Sequence, residues 1–238
     1  MAILTTDPKI LILAFVGGLI PSLIWLWFWL KEEKSSEPDG LLAIVFIMGM
    51  LSVILVLPIE QFIQTHLESK VGQIVLWAST EEIMKYLAVL VILYRTNRAR
   101  RPIDWPVYMV TAALGFAALE NALFLVKPIS TSGTTIALLS ATSLGQLRFL
   151  GANLLHTVAS GTIGIAIGLS FFMEELGKKW FLFIGFVLAI SLHSAFNFFI
   201  MNNGNELEIF AFLWVVTIIV MLIFEKVRRM SEKVLLIK

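Results

Sequence analysis

Seven apolar runs, each about long enough to cross roughly 30 Å of hydrocarbon as a helix, follow one another along these 238 residues. No soluble domain of this size needs so many. The expected fold is all-α, a polytopic membrane helix bundle of about seven transmembrane helices. The spans fall near residues 10–30, 41–63, 71–94, 104–127, 148–172, 180–201 and 207–225. Hydrophobic residues make up 58% of the chain and charged residues 15%, with a mean hydropathy of +0.89, so no polar stretch is long enough to fold separately. Residues 1–238 are therefore read as one integral-membrane domain. The run from Ile10 to Leu30 is too long for a signal-peptide core and is read as a retained helix.

Cysteine is absent, which removes disulfides, thiolate nucleophiles and cysteine-bound metals. The net charge of +1 conceals an asymmetry. With the amino terminus outside, the cytoplasmic segments hold Lys31, Lys34, Arg95, Arg98, Arg100, Arg101, Lys178, Lys179, Lys226, Arg228, Arg229, Lys233 and Lys238. The outer side keeps Lys9, Lys70, Lys127 and Arg148, with Lys85 inside a span. Positive residues collect on the cytoplasmic side of membrane proteins. The expected topology is amino terminus out and carboxyl terminus in, across the cell membrane. The segment 129–146, rich in Ser, Thr and Gly, is too short to span. It fits an extra re-entrant or interfacial helix on the outer side, or a plain surface loop.

Ionisable groups in hydrocarbon are costly and usually mark function. Here Glu81, Glu82, Lys85, Glu120, His156 and His193 all lie inside spans, with Asn197 beside them. A rise of 1.5 Å per residue converts sequence position into depth. Counted from the outer ends, Glu81 lies about 15 Å deep, Glu120 about 10 Å, and His156 and His193 about 12 Å each. Four helices of alternating direction thus put polar groups in one layer, a motif-bearing core over residues 71–201. Glu60, His66 and Glu68 fall at or beyond the outer end of the second span and read as interfacial and solvated.

Each group has a bland alternative. Lys85, four residues from Glu81, can neutralise one carboxylate, but Glu81 and Glu82 together leave a second needing a proton, a metal or a catalytic task. Glu120, followed by Asn121, has no cation on its own helix. His156, Ser160, Gly164 and Gly168 form a stripe of spacing four that suits close helix approach. His193 and Asn197, one turn apart, can donate to an oxyanion or clasp two helices. Ser160 as a nucleophile would leave three glutamates unexplained. No aspartate lies well inside a span, which removes the intramembrane aspartyl protease class.

The chemistry this set suits is water activation, in two versions. In one, Glu81 with His156 takes the proton from water, His193 and Asn197 hold the developing oxyanion, and Lys85 holds Glu82. In the other, Glu120, His156 and His193 bind Zn2+, with Glu81 or Glu82 as general base. The contiguous H-E-x-x-H signature is absent, so the sequence does not require zinc. A proton- or ion-coupled transporter would also keep such residues at mid-membrane, although spans three to six lack proline beyond Pro106 in the first turn of the fourth. A non-catalytic membrane scaffold is the other alternative. No nucleic-acid partner is expected.

Four segments carry a family resemblance: Glu81-Glu82-Ile83-Met84-Lys85, Phe116-Ala117-Ala118-Leu119-Glu120-Asn121, His156-Thr157-Val158-Ala159-Ser160 and His193-Ser194-Ala195-Phe196-Asn197. In this order they resemble the motif set of the PrsW family of intramembrane proteases, distantly related to the CAAX prenyl endopeptidases and Abi proteins. Lysine at position 85 matches that family, where relatives have arginine one position later, and Glu120 stands where the CAAX enzymes show histidine. The resemblance implies catalysis by Glu81, Glu82, Glu120, His156 and His193, with Asn197 assisting. It also implies a single-span, membrane-anchored anti-sigma factor as substrate, cut on the extracytoplasmic side.

Overall fold

In the computed structural model, residues 7–31, 39–96, 98–132, 145–202 and 205–235 are described. They form seven α-helices: α1 (Pro8–Lys31), α2 (Asp39–His66), α3 (Lys70–Thr96), α4 (Asp104–Ser132), α5 (Gly145–Leu169), α6 (Glu175–Met201) and α7 (Glu206–Leu235). There is no strand among the described residues. Six of the seven are long and apolar enough to cross a membrane. The exception, α3, has 27 residues but carries Glu81, Glu82 and Lys85 in its interior. Most of the segment 129–146 lies outside the described residues; its ends belong to α4 and α5.

α4 is the hub. Its most apolar stretch and that of α5 are 78% buried, against 17% for α1. α1, α2 and α5 pack directly on α4, α6 and α7 pack on α5, and α3 lies between α2 and α6. Apolar side chains on the outer faces, such as Ile12, Trp27, Ile54, Phe183 and Leu222, stay exposed. A soluble protein would have to cover them; a bilayer does so without further structure.

Small residues set the approach distances. A Cβ on Gly49 would strike the Ala112 carbonyl, and one on Gly115 would strike the Phe46 carbonyl, so α2 and α4 touch backbone to backbone at two reciprocal points. In the stripe on α5, a Cβ on Gly164 would come within 2.6 Å of the Pro106 Cα and 2.8 Å of the Trp105 carbonyl oxygen. The stripe therefore does what its spacing suggested and seats α5 on the start of α4. That start is fixed by Asp104, which accepts from the backbone N–H groups of Arg100 and Arg101 at 2.8 Å each and pairs with the Arg101 guanidinium at 2.7 Å. Farther along the bundle, the Ser22 hydroxyl donates to Asn153 Oδ1 at 2.7 Å and ties α1 to α5.

Candidate functional site

α3, α4, α5 and α6 bring Glu81, Glu82, Lys85, Glu120, His156, Ser160 and His193 into one connected network. The reason is periodicity. Glu81, Glu82 and Lys85 share the buried side of α3, since positions three and four apart lie on one face. His156 and Ser160 do the same on α5.

Lys85 is fully buried and uses all three ammonium protons: to Glu82 Oε1 at 2.8 Å, His156 Nδ1 at 2.8 Å and Glu81 Oε2 at 3.3 Å. Its charge also lies 4.2 Å from the Phe116 ring centroid, a favourable cation–π approach. Glu82 is equally buried and accepts three hydrogen bonds, from Lys85, from His193 Nδ1 at 2.9 Å and from the Ser160 hydroxyl at 2.6 Å. Glu120 Oε2 meets His156 Nε2 at 2.7 Å.

These contacts fix both histidine tautomers. An ammonium only donates, so His156 Nδ1 must accept from Lys85, and its proton sits on Nε2, facing Glu120. Glu82, accepting from Lys85 and Ser160, takes the Nδ1 proton of His193. In the neutral imidazole the lone pair of His193 is then on Nε2. The two lone-pair nitrogens are the ones that approach Glu81 Oε2, His156 Nδ1 at 3.8 Å and His193 Nε2 at 3.7 Å. The rings stand nearly perpendicular, centroids 5.0 Å apart.

A metal fits this donor set. Glu81, His156 and His193 each offer a ligand atom, all within 4.8 Å of one another. One carboxylate and two imidazoles form a catalytic zinc ligand set, and each imidazole has its far nitrogen held by a carboxylate, the outer arrangement such ligands need. The group that converges holds Glu81 in the place where the sequence reading put Glu120. Glu120 bonds the far nitrogen of His156. Depth could not distinguish the two, because it carries no information about rotation around the helix.

Above the network lies a cavity of about 920 Å³, walled by α2 through α6. Glu81, Glu120, Asn121, His156, His193 and Asn197 line it; Glu82 and Lys85 lie behind. Every wall residue comes from the same end of the bundle, where α2, α4 and α6 finish and α3 and α5 begin. The sequence reading missed Glu60. It is half-buried and lines the cavity together with Glu81 and Glu120. The helix α2 runs on to His66, which puts Glu60 six residues, about 9 Å, inside its end.

Comparison with known proteins agrees with this architecture. Residues 37–224 match the family described as PrsW family intramembrane metalloprotease. Protease PrsW of Shouchella clausii (strain KSM-K16) is 26% identical over 223 residues, covering 91% of this chain and 96% of that protein. Protease PrsW of Geobacillus kaustophilus (strain HTA426) is 29% identical over 189 residues, 78% of each chain. The Bacillus subtilis (strain 168) protein of that name is 27% identical over 210 residues, 83% of this chain and 89% of its own. No solved structure matches. With a family match over most of its length and a buried glutamate–histidine network opening on a cavity inside a helical membrane bundle, the chain belongs to the PrsW family of intramembrane proteases.

Proposed function

We propose that this chain hydrolyses a peptide bond of a single-span, membrane-anchored protein, with water activated at Glu81, His156 and His193. The observation that carries the reading is the convergence of one carboxylate and two imidazoles on the cavity wall, while Glu82 and Glu120 hold the far side of both imidazoles. Glu81 Oε2, His156 Nδ1 and His193 Nε2 would hold a divalent cation, and zinc suits them. Such an ion supplies Lewis-acid polarisation of the carbonyl and lowers the pKa of the attacking water. Glu120 keeps 27% of its side chain exposed and is the carboxylate suited to take the water's proton. Lys85, Ser160 and Glu82 hold the frame, and Asn197 faces the cavity as a donor to the substrate.

One observation favours a cation-free version. Lys85 already occupies the lone pair of His156 Nδ1 at 2.8 Å. In that version Glu81 itself accepts the proton from water, and the frame is unchanged.

The family resemblance and the position of the cavity support an anti-sigma-like substrate cut on the extracytoplasmic side. The distribution of Lys and Arg supports a cell-membrane protein with its carboxyl terminus in the cytoplasm. The test pairs two measurements. A tagged single-span anti-sigma factor is co-expressed with the wild type, Glu81→Gln and His193→Ala; equal processing by all three refutes the protease site. Metal content of the purified wild type is then compared with a His156→Ala, His193→Ala double variant. About one zinc per chain, lost in the variant, supports the metal version. An active, metal-free preparation that ignores chelators supports the glutamate version.

A further inference from the structure

Buried side-chain donors in folded proteins are nearly always paired. In this site the rule holds for Lys85, Ser160 and both histidines. It fails at one place. The side-chain amide nitrogen of Asn121, a residue 96% buried, has no hydrogen-bond partner. Two other buried polar atoms share this condition among the described residues, Trp29 Nε1 and Ser194 Oγ, but neither residue lines the cavity. Asn121 does, next in sequence to Glu120.

We infer that Asn121 Nδ2 is a substrate-binding donor that holds a backbone carbonyl oxygen of the peptide lying in the cavity. The inference rests on the protease reading above. Nδ2 has almost no accessible surface in the empty cavity, so the donor comes within reach by a turn of the Asn121 side chain as the peptide enters, and a peptide carbonyl then satisfies a buried donor that otherwise has no partner. None of the acceptors on the cavity wall, among them Glu60, Glu81 and Asn197, is bonded to this group. Glu120, the adjacent carboxylate, is already engaged with His156. A peptide crossing the cavity in extended form has unpaired carbonyls of its own, and in an apolar setting each needs a donor. The chemical class recognised is thus the peptide backbone rather than any one side chain, so the contact fixes the depth of the chain without dictating sequence.

The test uses a fluorescent, internally quenched single-span peptide: about 20 residues of Leu and Ala followed by a short Ser-Ala-Gly tail on the extracytoplasmic side. Its binding to full-length protein in detergent is followed by anisotropy and its cleavage by dequenching, for wild type, Asn121→Leu and Asn121→Gln. Loss of one such hydrogen bond predicts an about three- to tenfold rise in Kd and KM for Asn121→Leu, with kcat changed less than twofold. Melting temperature and metal content should be those of the wild type. Asn121→Gln, which keeps the donor, should recover at least part of the loss. Unchanged Kd in Asn121→Leu overturns the inference, as does a loss that tracks a fall in melting temperature. A wild type that binds but never cleaves, with binding weakened by Asn121→Leu, sustains the donor and refutes the protease reading. A wild type that does not bind the peptide overturns both.

Discussion

Replacing Lys85 by Met keeps the side chain's length and removes its charge, so it isolates the electrostatic role of the ammonium. Gross attraction at an effective dielectric of about 20 is roughly 6 kcal/mol to Glu82 at 2.8 Å and roughly 5 kcal/mol to Glu81 at 3.3 Å. Burying the ammonium costs several kcal/mol, which offsets part of this. The remainder agrees with the about 3–5 kcal/mol typically lost when one partner of a buried pair is removed. At about 2–4 °C per kcal/mol for a chain of this size, Lys85→Met should lower the melting temperature in detergent by roughly 6–20 °C. Glu82→Gln added to Lys85→Met removes one of the stranded charges and should restore at least half of the loss. The assay is thermal unfolding followed by intrinsic tryptophan fluorescence, with retained helicity checked by circular dichroism. A single variant within about 2 °C of wild type would refute the reasoning, and so would a double variant less stable than the single one. If Lys85→Met fails to accumulate, recovery of folded protein in the double variant still decides the matter.

Two further outcomes follow from contacts already described. Gly115→Val places a side chain against the Phe46 carbonyl and must push α2 off α4, with an overpacking cost of about 1–3 kcal/mol or more; Gly40→Val, with nothing within 4 Å of its Cβ, is the matched control, and equal melting temperatures for the two would be the contrary result. Ser160→Ala withdraws the hydroxyl at 2.6 Å from Glu82 Oε2 and should cost about 1.5–3 kcal/mol while leaving measurable proteolysis, whereas complete loss of cleavage in a folded protein would restore the serine as a nucleophile.

Helices were easy to read from this chain because apolar runs declare themselves, but hydropathy marks the membrane rather than the helix. α7 outlasts its expected end at residue 225 by ten residues. Glu225 there pairs with Arg228 at 2.7 Å and Arg229 at 2.8 Å, spacings that stabilise a helix in water as readily as in lipid. Similarly, α6 starts at Glu175, five residues early, with Glu175 paired to Lys178 at 2.8 Å. The site was legible as a layer, since depth follows from residue count. It was not legible as a ligand set. Choosing Glu81 over Glu120 depends on the azimuth of two helices, and azimuth is set by packing at residues such as Gly49, Gly115 and Gly164. Glu60 escaped for a smaller reason: an expected helix end three residues short made a cavity residue look terminal.

Charge counting links the fold to the chemistry. Glu81, Glu82 and Glu120 bring three negative charges when ionised and Lys85 brings one positive charge. With both imidazoles neutral, two negative charges are left over among these groups, with the Glu60 carboxyl a further neighbour on the cavity wall, in a setting where an uncompensated charge is expensive. Hydrogen bonding repeats the imbalance at one spot. Glu82 is saturated and Lys85 has no proton to spare, while Glu81 Oε2 and His193 Nε2 face each other across 3.7 Å. With the imidazole neutral, that pair carries a lone pair on each side. A proton on Glu81 would bridge it and cancel one of the two charges; a divalent cation would engage both atoms and cancel two. The saturated half of the network, Glu82 with Lys85 and Ser160, holds the geometry still, while the unsaturated half lies on the cavity wall where water and a peptide carbonyl can enter. A transporter or a structural clasp has no use for such a division, because its buried charges are best fully paired. For the proposed hydrolase it has a use, since such a deficit would draw an acid, proton or metal, to the cavity wall where the peptide would lie.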